Sequence, residues 1–172
     1  MTRASNARLA GVAFLLYIVA GIASMMLARR PDVASVLAIL TSFCALTLGV
    51  TLWALTRDVD PDLAMMGLVC RVIEAVPGSG GEIYFAVGSL LFSWLFLRGR
   101  MIPVPLAWLG VVASAFLVAL IPLQLLGLFG GARGWSSPVT WFVWLPMLVF
   151  ELALALWLIV KGAAAPRGAS AA

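Results

Sequence analysis

The chain of 172 residues contains no histidine. That absence excludes histidine-ligated haem, the usual catalytic zinc sites and the Ser-His-Asp triad together. Charge is scarce as well. Asp, Glu, Lys and Arg make up 10% of the residues, against about 25% in a soluble domain. So few charges cannot cover a water-exposed surface of this size. Cysteine is limited to Cys44 and Cys70, both within apolar runs and without Cys-x-x-Cys or metal-ligand spacing. They read as small buried apolar residues. Pro77-Gly78-Ser79-Gly80-Gly81 lacks the Gly-Lys-Ser/Thr ending of a phosphate loop and follows no strand, so it reads as a turn. No catalytic set, metal site or cofactor is expected.

Apolar residues are what the chain has, at 64% and in long runs. A spanning helix needs about 20 of them. The expected fold is all-α: a polytopic transmembrane helical bundle forming a single domain over residues 1–172. Six spans are expected, at about 9–27, 33–56, 61–76, 82–97, 106–129 and 139–160, followed by a flexible Ala-rich tail over 161–172. Arg29-Arg30-Pro31-Asp32, Arg57-Asp58-Val59-Asp60 and the Gly-rich turn punctuate the runs. Pro122 and Pro146 fall inside spans and mark candidate kinks. The first run ends without a small-x-small cleavage site and reads as a retained span rather than a signal sequence. Leu63 to Val76 covers only roughly 21 Å, against about 30 Å of hydrocarbon. The favoured arrangement is two short spans, with the Gly-rich turn sheltered below the membrane surface, over a re-entrant pair.

The net charge is +4, but nucleic-acid binding is not implied, because the basic residues sit at the ends of apolar runs. With the N-terminus inside, Arg3, Arg8, Arg57, Arg98, Arg100, Lys161 and Arg167 are cytoplasmic, and Arg29, Arg30 and Arg133 lie opposite. Seven against three predicts both termini in the cytoplasm. Trp53, Trp94 and Trp157 each precede a basic residue by one helical turn, as interface markers beyond which the cation snorkels. Leu9-Ala10-Gly11, Leu63-Ala64 with Gly67, and Leu106-Ala107 with Gly110 open the odd spans alike. Common interface chemistry explains this better than three related hairpins do. The aromatic stretch from Trp135 to Trp144 reads as an outer interface belt, and Ser89 with Ser93 and Gly110 with Ser114 as close helix approaches within the bundle.

Three ionisable residues fall inside spans: Arg71, Glu74 and Glu151. A charge at the bilayer centre costs about 3 kcal/mol on insertion scales, so each must face the interior and find a partner. Arg71 and Glu74 are i and i+3 on one helical face. Arg71 is expected to pair with Glu74, Glu151 or both. The cluster is either an ion pair that fixes helix register or a polar site for a proton, an ion or an anionic ligand beside Arg71. Gln124, Glu82 and Tyr84 are weaker candidates.

Several segments resemble a known family. They are Leu55-Thr56-Arg57-Asp58-Val59-Asp60 with Leu63-Ala64 and Arg71-Val72-Ile73-Glu74-Ala75; Phe92 to Arg100 with Ile102-Pro103 and Leu106-Ala107-Trp108-Leu109-Gly110; and Pro146-Met147, Phe150-Glu151-Leu152, Leu156-Trp157-Leu158 and Lys161-Gly162. Together with Arg8-Leu9-Ala10-Gly11 they are similar to the domain-of-unknown-function 4386 family of bacterial integral membrane proteins. The resemblance implies a multi-pass membrane protein of the bacterial inner (plasma) membrane with no established activity. The loop after Arg30 and the turn at Gly78 to Gly81 look trimmed against the family pattern.

The expected role is a non-catalytic structural or accessory subunit. Its partners would be the lipid bilayer and another membrane protein or a second copy of the chain. The alternative is a small proton, ion or small-molecule carrier using Arg71, Glu74 and Glu151. An intramembrane enzyme ranks last.

Overall fold

Proline, charge and glycine cut the apolar chain into helices. A computed structural model describes residues 2–27, 29–76, 80–128 and 138–166, with residues 138 and 139 described by backbone alone. Six helices result: α1 Arg3–Met26, α2 Pro31–Thr56, α3 Pro61–Glu74, α4 Gly81–Arg98, α5 Val104–Leu125 and α6 Pro138–Val160. The described residues contain no strand.

Local chemistry sets the helix starts. The Thr2 hydroxyl accepts from the Ser5 amide at 3.1 Å, and the Asp60 carboxylate accepts from the Leu63 amide at 3.1 Å. Each satisfies an amide that the first turn leaves free. Pro31 and Pro61 open α2 and α3 where no amide is needed. Asp62 in the first turn of α3 faces the positive end of its dipole.

Two helices end earlier than their apolar runs suggest. The fifth span was expected to reach Phe129, but α5 stops at Leu125. Gly127 takes φ +80, and the Leu128 amide reaches back to the Leu123 carbonyl at 3.2 Å. That six-to-one closure around a left-handed residue is a helix stop. Likewise α3 ends at Glu74 rather than Val76. Pro122 and Pro146 lie inside α5 and α6 without ending them.

Each helix packs against the next in chain order, and α6 returns to pack against α1, so the six form a closed ring. Glycine makes the close approaches possible. A Cβ on Gly11 would lie 2.6 Å from the Ala155 carbonyl oxygen, joining α1 to α6. One on Gly67 would lie 2.8 Å from the Phe92 ring, and one on Gly110 would run into the Phe150 ring. Phe14, Leu48, Leu52, Leu95, Leu117 and Leu154 fill the middle.

The outside of the ring is as apolar as the inside. Phe43 is 64% exposed and Phe142 72%, and α1 to α6 all carry exposed large apolar residues. Contiguous apolar surface of this extent calls for lipid rather than water. Helices α1, α2, α5 and α6 are long and apolar enough to cross a membrane. With α3 at 14 residues and α4 at 18, the central pair is shorter. The chain is built as a helical membrane protein. In α2 the hydroxyls of Ser35, Thr41, Thr47, Thr51 and Thr56 each donate to the carbonyl four residues earlier. This lets polar side chains sit in an apolar helix.

Both described ends of the chain lie at one end of the ring, here the terminal end. Arg3 donates to the Leu55 carbonyl at 2.7 Å and the Ala164 carbonyl at 3.2 Å, and pairs with Asp58 at 3.6 Å. The Ala164 amide donates to the Met101 carbonyl at 2.9 Å. The first residues of the tail thus meet Arg3 and the turn after α4. Residues 167–172 lie outside the described residues, as do Arg133 and Trp135 of the charge count and the aromatic belt. The Arg57 guanidinium lies over the Trp53 ring at 5.0 Å rather than reaching beyond it.

Candidate functional site

The short α3 leaves a recess at the end of the ring away from the termini. Its last turn stops beside α2, where the Ser42 hydroxyl donates to the Ala75 carbonyl at 2.8 Å. Ser42 stands eleven residues into α2, roughly 16 Å below that helix's start. A carbonyl freed by a helix end at this depth has little water to turn to, and Ser42 satisfies it across the helix boundary.

Arg71 occupies the last full turn of α3 and is 1% exposed. Glycine makes room for its stem on the α2 side, where a Cβ on Gly49 would lie 2.9 Å from Arg71 Cβ. Nη1 donates to Glu74 Oε2 at 3.0 Å and to Oε1 at 3.4 Å, and Nη2 donates to Ser89 Oγ at 2.9 Å. The guanidinium lies 4.9 Å from the Phe85 ring centroid and 6.0 Å from that of Phe14. Among the described residues Nε has no hydrogen-bond partner. Arg71 thus pairs with Glu74, while α1, α2 and α4 surround the pair.

Glu74 has a second partner. The Tyr17 hydroxyl of α1 donates to Glu74 Oε1 at 2.6 Å. Glu151 is 5% exposed in α6, and the described residues show no ion pair between it and Arg71. Among them its Oε1 has no hydrogen-bond partner.

Above this cluster lies a pocket of about 390 Å³ lined by Tyr17, Glu74, Gly80, Gly81, Glu82, Phe85 and Trp144. The rings stack into its wall: Tyr17 and Phe85 lie parallel at 6.2 Å, and Phe85 and Trp144 are tilted at 5.6 Å. Trp144 and Glu151 are seven residues apart in α6, so they share a face, with Glu151 two turns deeper. Arg71 does not line the pocket; it stands behind Glu74.

The structure brings Arg71 and Glu74 into contact and places Glu82 at the pocket. Gln124 is half-buried in the last turn of α5, with Nε2 unpartnered among the described residues and away from the lining. Tyr84 is half-buried and also outside the lining. The sequence reading passed over Tyr17, Phe85, Ser89 and Trp144. Tyr17 carried a signal, because it is one of two tyrosines and stands well inside α1. Membrane tyrosines favour the interface. Trp144 was assigned to the outer belt, yet it turns into the site while Trp141 and Phe142 point outward.

Residues 78–162 match the model of a domain of unknown function, DUF4386. These residues belong to the DUF4386 family. The DUF4386 segment covers about half of the chain and takes in α4, α5 and α6. It contains the resembling stretches around Phe92 to Gly110 and Pro146 to Gly162, whereas those around Arg8, Leu55 and Arg71 precede it. The candidate site straddles its boundary: Glu82, Phe85, Ser89, Trp144 and Glu151 lie within it, and Tyr17, Arg71 and Glu74 before it. Comparison with curated proteins and with solved structures finds no match.

Proposed function

We propose that this membrane protein binds a small molecule or ion in the recess above α3 and passes it, or its proton, through the Glu74–Arg71–Glu151 cluster. The observation that carries this reading is Glu74 itself. It lines the pocket on one side and holds Arg71 and Tyr17 on the other. A carboxylate so placed can exchange an internal partner for an incoming one. A purely structural ion pair would be expected to satisfy its polar atoms. Among the described residues, Arg71 Nε and Glu151 Oε1 of this cluster are buried without partners.

In this reading the protein lies in the inner (plasma) membrane of a bacterium with six crossings and both termini cytoplasmic. The basic residues gathered around the terminal end support that orientation. The recess then opens to the outer face. Proteoliposomes test the function. Flux of protons or small ions should be reduced in Glu151→Gln, which leaves the Arg71–Glu74 pair intact, with the variant still monodisperse in detergent. Equal flux in protein-free and protein-loaded vesicles would sink the carrier reading.

The second reading is a non-catalytic accessory subunit of a larger membrane assembly. Its support is the lack of room for anything else: the described turns after α1, α2 and α4 are a few residues long, and the outer faces are apolar. Copurification of one stoichiometric membrane partner, with no flux, would favour it.

A further inference from the structure

We infer that the recess takes a small organic cation, an amine or a quaternary ammonium, rather than an anion. This rests on the binding reading above and deepens it. Among the described residues the pocket is lined by two carboxylates and three aromatic rings, and by no basic side chain. Carboxylates and ring faces both attract cations. Arg71, the group that would draw an anion, stands behind Glu74 with Nη1 committed to that carboxylate and Nη2 to Ser89. An incoming anion would meet Glu74 and Glu82 before it met Arg71.

The charge count agrees. Arg71 neutralises Glu74, and Glu82 is left over. The start of α4 at Gly80 and Gly81 offers the partial positive charge that favours anions at helix N-termini. Glu82, in the first turn, already answers it. Glu74 also has acceptor capacity to spare. A carboxylate offers about four lone-pair sites, and Tyr17 and Arg71 supply three contacts to them. The Phe85 ring already meets one cation, the Arg71 guanidinium behind the pocket, at 4.9 Å. A cavity of about 390 Å³ falls at the small end of ligand pockets, roughly 300–1,000 Å³. It suits an ammonium group with a few carbons, whether a free amine or the cationic head of a lipid.

The test is calorimetric titration of the purified full chain in a maltoside detergent with tetramethylammonium chloride, propylammonium chloride and sodium acetate. Saturable binding of either ammonium salt, and not of acetate, is expected. Trp144→Leu should weaken it about tenfold, and Trp144→Phe, which keeps a ring, far less. Glu82→Gln, an exposed change that leaves the Arg71 pair intact, should weaken it several-fold. Repeating the titration in nanodiscs separates the sources. Weaker tetramethylammonium binding in zwitterionic phosphatidylcholine than in uncharged digalactosyldiacylglycerol, two surfaces of equal net charge, points to a lipid head group as occupant, and equal binding points to a free amine. Acetate binding without ammonium binding overturns the cation assignment but leaves the pocket reading standing. Binding of none of the three overturns both.

Discussion

The two ends of the helical ring handle polar groups in opposite ways. At the terminal end the charges lie at the rim, half or more exposed for Arg57, Asp58 and Arg98, and they tie turns and chain ends together with many modest contacts. Exposed ion pairs contribute only about 0–1 kcal/mol each. At the recessed end one ion pair is buried to 1% and 6%, and leaving one member of such a pair alone costs about 3–5 kcal/mol. The terminal end can lose any one contact and persist. The recessed end concentrates its electrostatics in two residues, which is a poor way to build a wall and a reasonable way to build a site.

The contrast can be broken first where it is steepest. Arg71→Leu should strand the Glu74 carboxylate and destabilise the protein by about 3–5 kcal/mol, seen as loss of monodisperse protein in detergent. Arg71→Leu with Glu74→Leu should recover most of that loss. A double variant as poor as the single would show that the pair itself is not the source of the effect. Gly11→Val comes next. The obstacle there is the Ala155 backbone oxygen, which cannot swing away, so overpacking of about 1–3 kcal/mol is expected in detergent unfolding. Ser42→Ala should cost about 1 kcal/mol by orphaning the Ala75 carbonyl, with faster hydrogen exchange confined to the end of α3. The smallest effect belongs to the terminal end. Arg98→Ala breaks an exposed pair to Asp60 and should shift stability by less than about 1 kcal/mol, with the shift fading in high salt. An effect of Arg98→Ala as large as that of Arg71→Leu would erase the distinction between the two ends.

Helix existence was legible because the chain punctuates itself. Pro31, Pro61 and the charged residues before them could not continue a helix in lipid, and α2 and α3 begin where they stand. Arg71 and Glu74 were legible as a pair because three-residue spacing fixes one helical face. What lay hidden were contacts that only the ring creates. Nothing near Tyr17 announces Glu74, 57 residues away. Glu151 shares a middle depth with Arg71, yet depth alone does not say how two helices are rotated, and the two make no ion pair among the described residues. The end of α5 was misjudged because Leu126 and Leu128 prolong the apolar run, while Gly127 between them had already reversed the backbone. Small residues were informative in kind and silent in partner. Gly110 promised close packing, and only the fold assigns Phe150 to it.

Closure of the ring has a consequence for biosynthesis. The face of α1 that carries Ala7, Ala10 and Gly11 belongs in part to α6, the last helix to be made. A nascent chain emerging in order would insert an open arc whose first helix waits, small residues bare to lipid, until more than a hundred further residues have followed. Truncation before α6 would then leave two unsealed edges, and these are the surfaces a membrane chaperone or quality-control protease would meet.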